Sequence, residues 1–265
     1  IKNDLVEYVE KRKREANENA DEIAKEIMAE AMERLATGTA TERTISTVEI
    51  PSDDIKGKII GKEGRNIQSL ERLTGVEVII DESPGVITIS GFNPIRRQVA
   101  KKALENLIKD GRIHPAKIEE VVKKAEKEID EEIKKAGEQA AREAKVLGLP
   151  PEISKTMGML KFRTSYSQNV LHHSVEMAHL AAMIAEEIGA DVQVSRTAAF
   201  LHDLGKAVSH EIEGKHHHIT GDMMRKAGFD EATTHAAEAH HDDIEATTSE
   251  ALIVRVVDAL SGGRP

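Results

Sequence analysis

The sequence predicts a mainly α-helical protein that carries one small α+β module. Three observations lead there. Apolar residues recur at helical spacing over most of the 265 residues, strand-like alternation is confined to residues 44–91, and the 18 glycines and 7 prolines punctuate the segments between. The histidines add a chemical clue, because 11 of the 12 fall between His172 and His241, a density that metal and acid–base sites produce and solvated surfaces rarely do.

Taken in order, residues 1–41 place Leu5, Val9, Ala16, Ile23, Ile27 and Leu35 among many charges, which predicts an exposed amphipathic helix, the end of a coiled coil, closed by Thr37-Gly38-Thr39. Residues 42–111 read β-α-α-β-β-α. "TISTVEI" (44–50) alternates as a strand; "GKIIGKEGRNIQSLERLTG" (57–75) is helix, glycine loop, helix; "VEVIID" (76–81) and "GVITISG" (85–91) are strands joined through Ser83-Pro84; and "NPIRRQVAKKALENLIKDG" (93–111) is a helix with Pro94 in its first turn and Gly111 past its end. Residues 112–150 hold a long, charge-dense helix expected to be a solvated spacer, broken by "LGLPPE". Everything in 151–265 reads as helices.

Composition narrows the function. The absence of Cys excludes disulfides, thiolate metal sites and thiol catalysis. With 2% aromatics and no Trp, base stacking on aromatic rings is poorly supplied, and the net charge of −10 argues against gripping nucleic acid over the whole surface. No run of 18 apolar residues and no signal peptide is visible; the start at Ile1 and the end "SGGRP" straight after an apolar helix suggest part of a longer protein.

In "IIGKEGRNI", Gly61 and Gly64 bracket Lys62 and Glu63 where two short helices meet, letting backbone approach closely and offering helix N–H groups to a phosphate. Lys56, Lys58, Lys62 and Arg65 face only Glu63, a local excess of three positive charges on a module whose total charge is zero. With Ile59 and Ile60 before the loop and Ile67 after it, the module resembles a KH domain. That resemblance implies a loop that clamps about four single-stranded nucleotides beside an apolar groove, or a KH fold kept for dimerisation alone.

"AAFLHDLGKAVSH" (198–210) sets His202 and Asp203 inside an apolar run, where a carboxylate is costly unless compensated. In 165–189, His173 falls on the face formed by Val170, Met177, Leu180, Ile184 and Ile188, while His172 and Glu176 lie on a more polar side. Asp258 sits between Val257 and Ala259 in the last helix. A divalent metal held by His173, His202, Asp203 and Asp258 answers the burial of both aspartates; the plainer alternative pairs Asp203 with Lys206 or an arginine. Lys206 is also the nearest cation in sequence for a phosphate oxygen, which makes His202, Asp203 and Lys206 the expected catalytic group. The donor types suit Mn²⁺ first, with Mg²⁺, Zn²⁺, Fe²⁺, Co²⁺ or Ni²⁺ as alternatives. The H…HD…D pattern resembles the HD-domain metal-dependent phosphohydrolases. By that resemblance His216, His240 and His241 hold a second ion, whereas His217 and His218 of "KHHHITG" are expected at the surface and His179, His210 and His235 in surface or capping roles.

Together "GKIIGKEGRNIQSLERLTGVEVIID", "SGFNPIRRQVA", "DGRIHPAKIEE", "KFRTSYSQNVLHHS", "FLHDLGKA" and "VDALSGGRP" resemble the ribonuclease Y family of bacterial endoribonucleases. The resemblance implies metal-dependent cleavage of single-stranded RNA in mRNA turnover, by water and leaving a 5′-phosphate, with a homodimer and RNA-degradation proteins as partners. It also implies a cytoplasmic protein whose full length is anchored to the inner face of the cell membrane, this segment making no membrane contact. Asp242 stands where the family usually has Gly, and "HHH" at 216–218 is richer than usual. Rival readings are an HD hydrolase of nucleotides or cyclic dinucleotides, and a non-catalytic RNA-binding scaffold.

Overall fold

The computed structural model describes residues 45–81, 85–165 and 168–262. The helix expected over 1–41 and the Ser83-Pro84 turn lie outside these residues. The described chain falls into two compact units, one of residues 45–140 with 150–171, the other of residues 141–149 with 172–262.

The first unit has the expected β-α-α-β-β-α order: β1 (Ile45–Glu49), α1 (Asp54–Ile60), α2 (Arg65–Thr74), β2 (Glu77–Ile79), β3 (Val86–Ser90) and α3 (Pro94–Asp110). The sheet is antiparallel in the order β1-β3-β2, with Thr47 opposite Thr88 and Val78 opposite Ile89. Strand alternation buries Ile87 and Ile89 completely and turns their neighbours outward. Helix α3 starts where the sequence marks it, since the Asn93 side chain accepts from the N–H groups of Ile95 and Arg96 and Pro94 lacks the N–H that would be orphaned. It ends at Gly111, whose φ of 78° suits only a residue without a Cβ.

Helix α4 (Pro115–Glu143) differs from the sequence reading. It is not a wholly solvated spacer, because Ile118, Val121, Val122, Ala125, Ile129 and Ile133 join the same apolar cluster as Ile87, Ile89 and Leu104. These residues recur three and four apart, so the charges solvate only the opposite face. Helix α5 (Pro151–Met159) then crosses α4 through paired glycines: a Cβ on Gly137 would strike the Ser154 carbonyl, and one on Gly158 the Ile133 carbonyl. A small hairpin of β4 (Thr164–Ser165) and β5 (Gln168–Asn169) follows.

The second unit is helical: α6 (Val170–Ile188), α7 (Val192–Leu201), α8 (His216–Lys226), α9 (Glu231–Glu238) and α10 (Ser249–Gly262). Asp191 caps α7 through Gln193 and Val194, and Asp230 caps α9 through Thr233. Its core gathers Met177, Phe200, Leu201, Leu204, Val254 and Val257. Two residues of α6 depart from expectation: Glu176 is buried rather than polar-facing, and Ile188 at the frayed end is exposed.

Gly137→Ala and Gly158→Ala test the helix crossing. Each forces α4 and α5 apart and is expected to cost about 1–3 kcal/mol or more by overpacking, read as a lower midpoint in denaturant unfolding, while Gly57→Ala, in α1 with open space around its Cβ, sets the baseline for a helical glycine.

Candidate metal centre and phosphate loop

Four helical segments and one turn deliver the chemistry-bearing side chains of the second unit to one place. His173 comes from the first turns of α6; His202 and Asp203 close α7; His216 opens α8; His240 and His241 follow α9; Asp258 lies on α10. Glycine makes this assembly possible at Gly205, where a Cβ would meet the backbone carbonyl of His216. The approach is locked by Thr220, whose hydroxyl accepts from the Gly205 N–H at 2.9 Å and donates to the His202 carbonyl at 3.1 Å.

Asp203 is 1% exposed, and its two oxygens face different neighbours. Oδ2 accepts from the Lys206 ammonium at 2.7 Å and lies 3.4 Å from His202 Nε2. Oδ1 has no hydrogen-bond partner, although His216 Nε2 and His240 Nε2 stand 3.4 and 4.0 Å away. His202 Nε2 is likewise buried without a hydrogen bond. The sequence offered a metal or Lys206 as alternative answers to this buried charge; the structure gives Lys206 one oxygen and leaves the other for a second compensator.

Two donor sets adjoin at Asp203. His173 Nε2 is 3.2 Å and His202 Nε2 3.6 Å from Asp258 Oδ1. On the other side His216 Nε2 is 3.3 Å from His240 Nε2 and 3.1 Å from His241 Nε2. Ligand atoms about 2.1 Å from a shared ion stand roughly 3.0–3.5 Å apart, so these separations are those of a coordination polyhedron. The ring orientations agree. His202 Nδ1 donates to the Ala199 carbonyl at 2.8 Å and His240 Nδ1 to that of Ala237 at 2.7 Å, which aims both Nε2 atoms inward. His173 Nδ1 meets the Ser261 hydroxyl at 3.0 Å, and Ser261 in turn reaches Glu176. These residues could hold a divalent cation, and an orphaned carboxylate oxygen among neutral imidazoles fits one.

The electrostatics are consistent. Burial alone would raise the Asp203 carboxyl, but His202 and Lys206 outweigh it and hold it well below the ordinary range. Asp258 is held down similarly, by His173 and His202 against burial. Burial would lower His202, but Asp203 and Asp258 raise it to about 10, so a proton answers the carboxylates when no ion does. Burial keeps His216 neutral, pushed down to about 4, and lowers His240 and His241 in the same direction.

Other expectations need correction. His217 is buried, 3% exposed, with Nε2 2.9 Å from Asp243 Oδ2, and only His218 is at the surface. His235, expected in a surface or capping role, accepts from the Thr247 N–H at 3.3 Å, and Asp242 pairs with Arg255. Lys206 is bound to Asp203 at 2.7 Å, the pairing that the sequence offered as the plainer answer to that charge. Thr220, Ser261 and Asp243 were not singled out in sequence; a hydroxyl or carboxylate that positions another residue has no spacing of its own to betray it.

In the first unit the loop between α1 and α2 is built on three positive φ values, Gly61 at 71°, Glu63 at 58° and Gly64 at 73°. Gly61 also has no room for a Cβ, which would strike the buried Asn66 side chain; Asn66 itself donates to the carbonyls of Lys58 and Ile113 and pins the loop. Lys58, Lys62, Glu63 and Arg65 are exposed, as is Ile60, and Ile67 is partly buried against the core. Lys56 departs from the expected patch: it donates to the Asp81 carbonyl at 3.0 Å and pairs with Asp53.

Comparison with known proteins agrees with both units. Residues 45–106 match the KH domain family and residues 170–263 the HD domain family. The chain is 51% identical over 265 residues to ribonuclease Y of Thermoanaerobacter pseudethanolicus, covering 100% of this chain and 52% of that protein. It is 54% identical over 251 residues to ribonuclease Y of Geobacter metallireducens (95% of this chain, 48% of the relative), and 49% identical over 265 residues to that of Clostridium novyi (100% and 53%). The chain thus spans about half the length of the curated relatives it matches. No solved structure matches it. Among the described residues no helix is long and apolar enough to cross a membrane.

Lys206→Met separates two roles for this lysine. If its ammonium holds Asp203, Mn²⁺ binding followed by calorimetry weakens about 10–100-fold, as for loss of a group that orients a ligand; if it serves phosphate instead, Mn²⁺ affinity stays at the wild-type value.

Proposed function

The chain belongs to the ribonuclease Y family, and from that premise we propose that it is a metal-dependent endoribonuclease that hydrolyses phosphodiester bonds of single-stranded RNA. The observation that carries the reading is the orphaned Asp203 Oδ1 between two sets of inward-facing imidazoles. In this reading His173, His202, Asp203 and Asp258 hold one divalent cation, Mn²⁺ by preference, and His216, His240 and His241 with the free oxygen of Asp203 hold a second. Bound there, such ions would supply an acidified water and neutralise charge growing on the phosphoryl oxygens.

The chain's own residues do the remaining work. Lys206 fixes Asp203 so that one carboxylate oxygen faces His216 and His240. The Ala199 and Ala237 carbonyls hold His202 and His240 in the tautomer whose Nε2 can donate an electron pair. The KH loop clamps RNA backbone: positive φ at Gly61 and Gly64 turns the chain sharply there, their own N–H groups bonded to the Gly57 and Gly61 carbonyls, so that the exposed Lys58, Lys62 and Arg65 neutralise phosphates. Bases lie against Ile60 and Ile67. The same family premise extends to mRNA turnover, a homodimer, RNA-degradation partner proteins, and a full-length protein held at the cytoplasmic face of the cell membrane.

Incubation with Mn²⁺ and a 5′-monophosphorylated single-stranded RNA tests the catalytic half. Asp203→Ala is expected to reduce internal cleavage by more than about 100-fold, and cleavage that survives the substitution overturns the metal assignment. Removal of divalent ions by a chelator should abolish cleavage, with recovery on adding Mn²⁺. The second half is tested by Gly61→Asp with Gly64→Asp, expected to weaken RNA binding roughly tenfold, about 1.4 kcal/mol, while hydrolysis of a small phosphodiester is spared. Loss of both together contradicts the division of labour and favours a nucleotide hydrolase whose KH module serves assembly.

A further inference from the structure

One group of ligand-type side chains takes no part in the centre described above. His217 and His218, the second and third residues of α8, both turn to the turn after α9, where Nε2 of His217 lies 2.9 Å and Nε2 of His218 3.3 Å from the same oxygen, Oδ2 of Asp243. Adjacent residues of a helix ordinarily point away from one another. Here the two rings converge, with centroids 4.4 Å apart, and the three donor atoms lie within 4.8 Å of one another. No member of this trio belongs to the two catalytic donor sets.

We propose that His217, His218 and Asp243 form an accessory transition-metal site of the Zn²⁺ class. The separations of 2.9 and 3.3 Å are close to the edge of a tetrahedron around Zn²⁺, roughly 3.3 Å for bonds of about 2.0–2.1 Å. Two imidazoles and one carboxylate select Zn²⁺, Co²⁺ or Ni²⁺ over Mg²⁺ and Ca²⁺, which take oxygen-rich shells. His217 is buried and anchors the site, while the His218 side chain is 52% exposed, leaving an entry path and room for water as the fourth ligand. The present occupant of Asp243 Oδ2 is the Lys215 ammonium at 2.7 Å; its side chain is 64% exposed, so it can yield to an ion by swinging into solvent. An ion here ties the start of α8, beside His216, to the turn beside His240 and His241. It acts as a staple between the two segments that supply the second catalytic set.

Counting bound Zn²⁺ per chain after dialysis against micromolar Zn²⁺, by elemental mass spectrometry, tests this. His218→Ala is expected to bind one equivalent less than wild type and to keep Mn²⁺-supported RNA cleavage. Asp203→Ala should retain one equivalent, which the Asp203→Ala/His218→Ala pair loses. Equal Zn²⁺ in wild type and His218→Ala overturns the site, as does an Asp203→Ala protein that binds none. Should Asp203→Ala fold poorly, the visible absorption of Co²⁺ in wild type against His218→Ala decides: loss of a tetrahedral band supports the site, and identical spectra overturn it. Failure of the catalytic reading is separately visible, because Asp203→Ala would then bind as many ions as wild type.

Discussion

A carboxylate that is 1% exposed is the constraint on which the helical unit is organised. Asp203 cannot be ionised there without compensation, and its neighbours are arranged so that compensation is divided. Lys206 neutralises one oxygen by a direct contact from three residues along the chain. The other oxygen faces imidazoles brought from α8 and from the turn after α9. Everything that determines where those segments end therefore bears on this one oxygen: the Gly205 approach to His216, the Thr220 hydroxyl joining two backbone groups, and the Asp230 cap that sets the start of α9.

The two units use different physics for related ends. The proposed metal centre relies on the buried His202, Asp203 and His240, the two imidazoles held by backbone carbonyls, with His216 and Asp258 partly exposed beside them. The glycine loop relies on backbone that most residues cannot adopt, with its charges in water. Rigid donors suit an ion with a demanding coordination shell, and exposed cationic side chains suit a flexible polyanion. The charge distribution fits that contrast: a chain of net charge −10 keeps a basic strip on a module whose total charge is zero, while the excess negative charge lies elsewhere.

Much of this was legible in the sequence, for physical reasons. Helix and strand periods, Asn93-Pro94 before α3 and Gly111 after it gave the β-α-α-β-β-α order, because caps and termini are local. His202 and Asp203 stood out because charge inside an apolar run is rare. Less local features were hidden. The buried face of α4 was masked by the many charges of its opposite side. His217 could not be told from His218, since adjacent residues separate only by the turn that Asp243 reaches from 26 residues away. Lys56 counted toward a basic patch in one dimension and in three is occupied by the Asp81 carbonyl. Glu176 looked solvent-facing by helical position, yet Ser261 from the far end of the chain lies against it.

The apolar stripe of α4 has a consequence for how such a protein can be taken apart. Residues 115–133 complete the hydrophobic interior of a module whose family signature ends at residue 106. A piece excised at that signature would leave Leu104 and Leu107 without their covering isoleucines and valines, and would be prone to self-association. In recombination, too, this stretch cannot be swapped for any hydrophilic tether of equal length; the KH module and the helix that follows it must be inherited as one block.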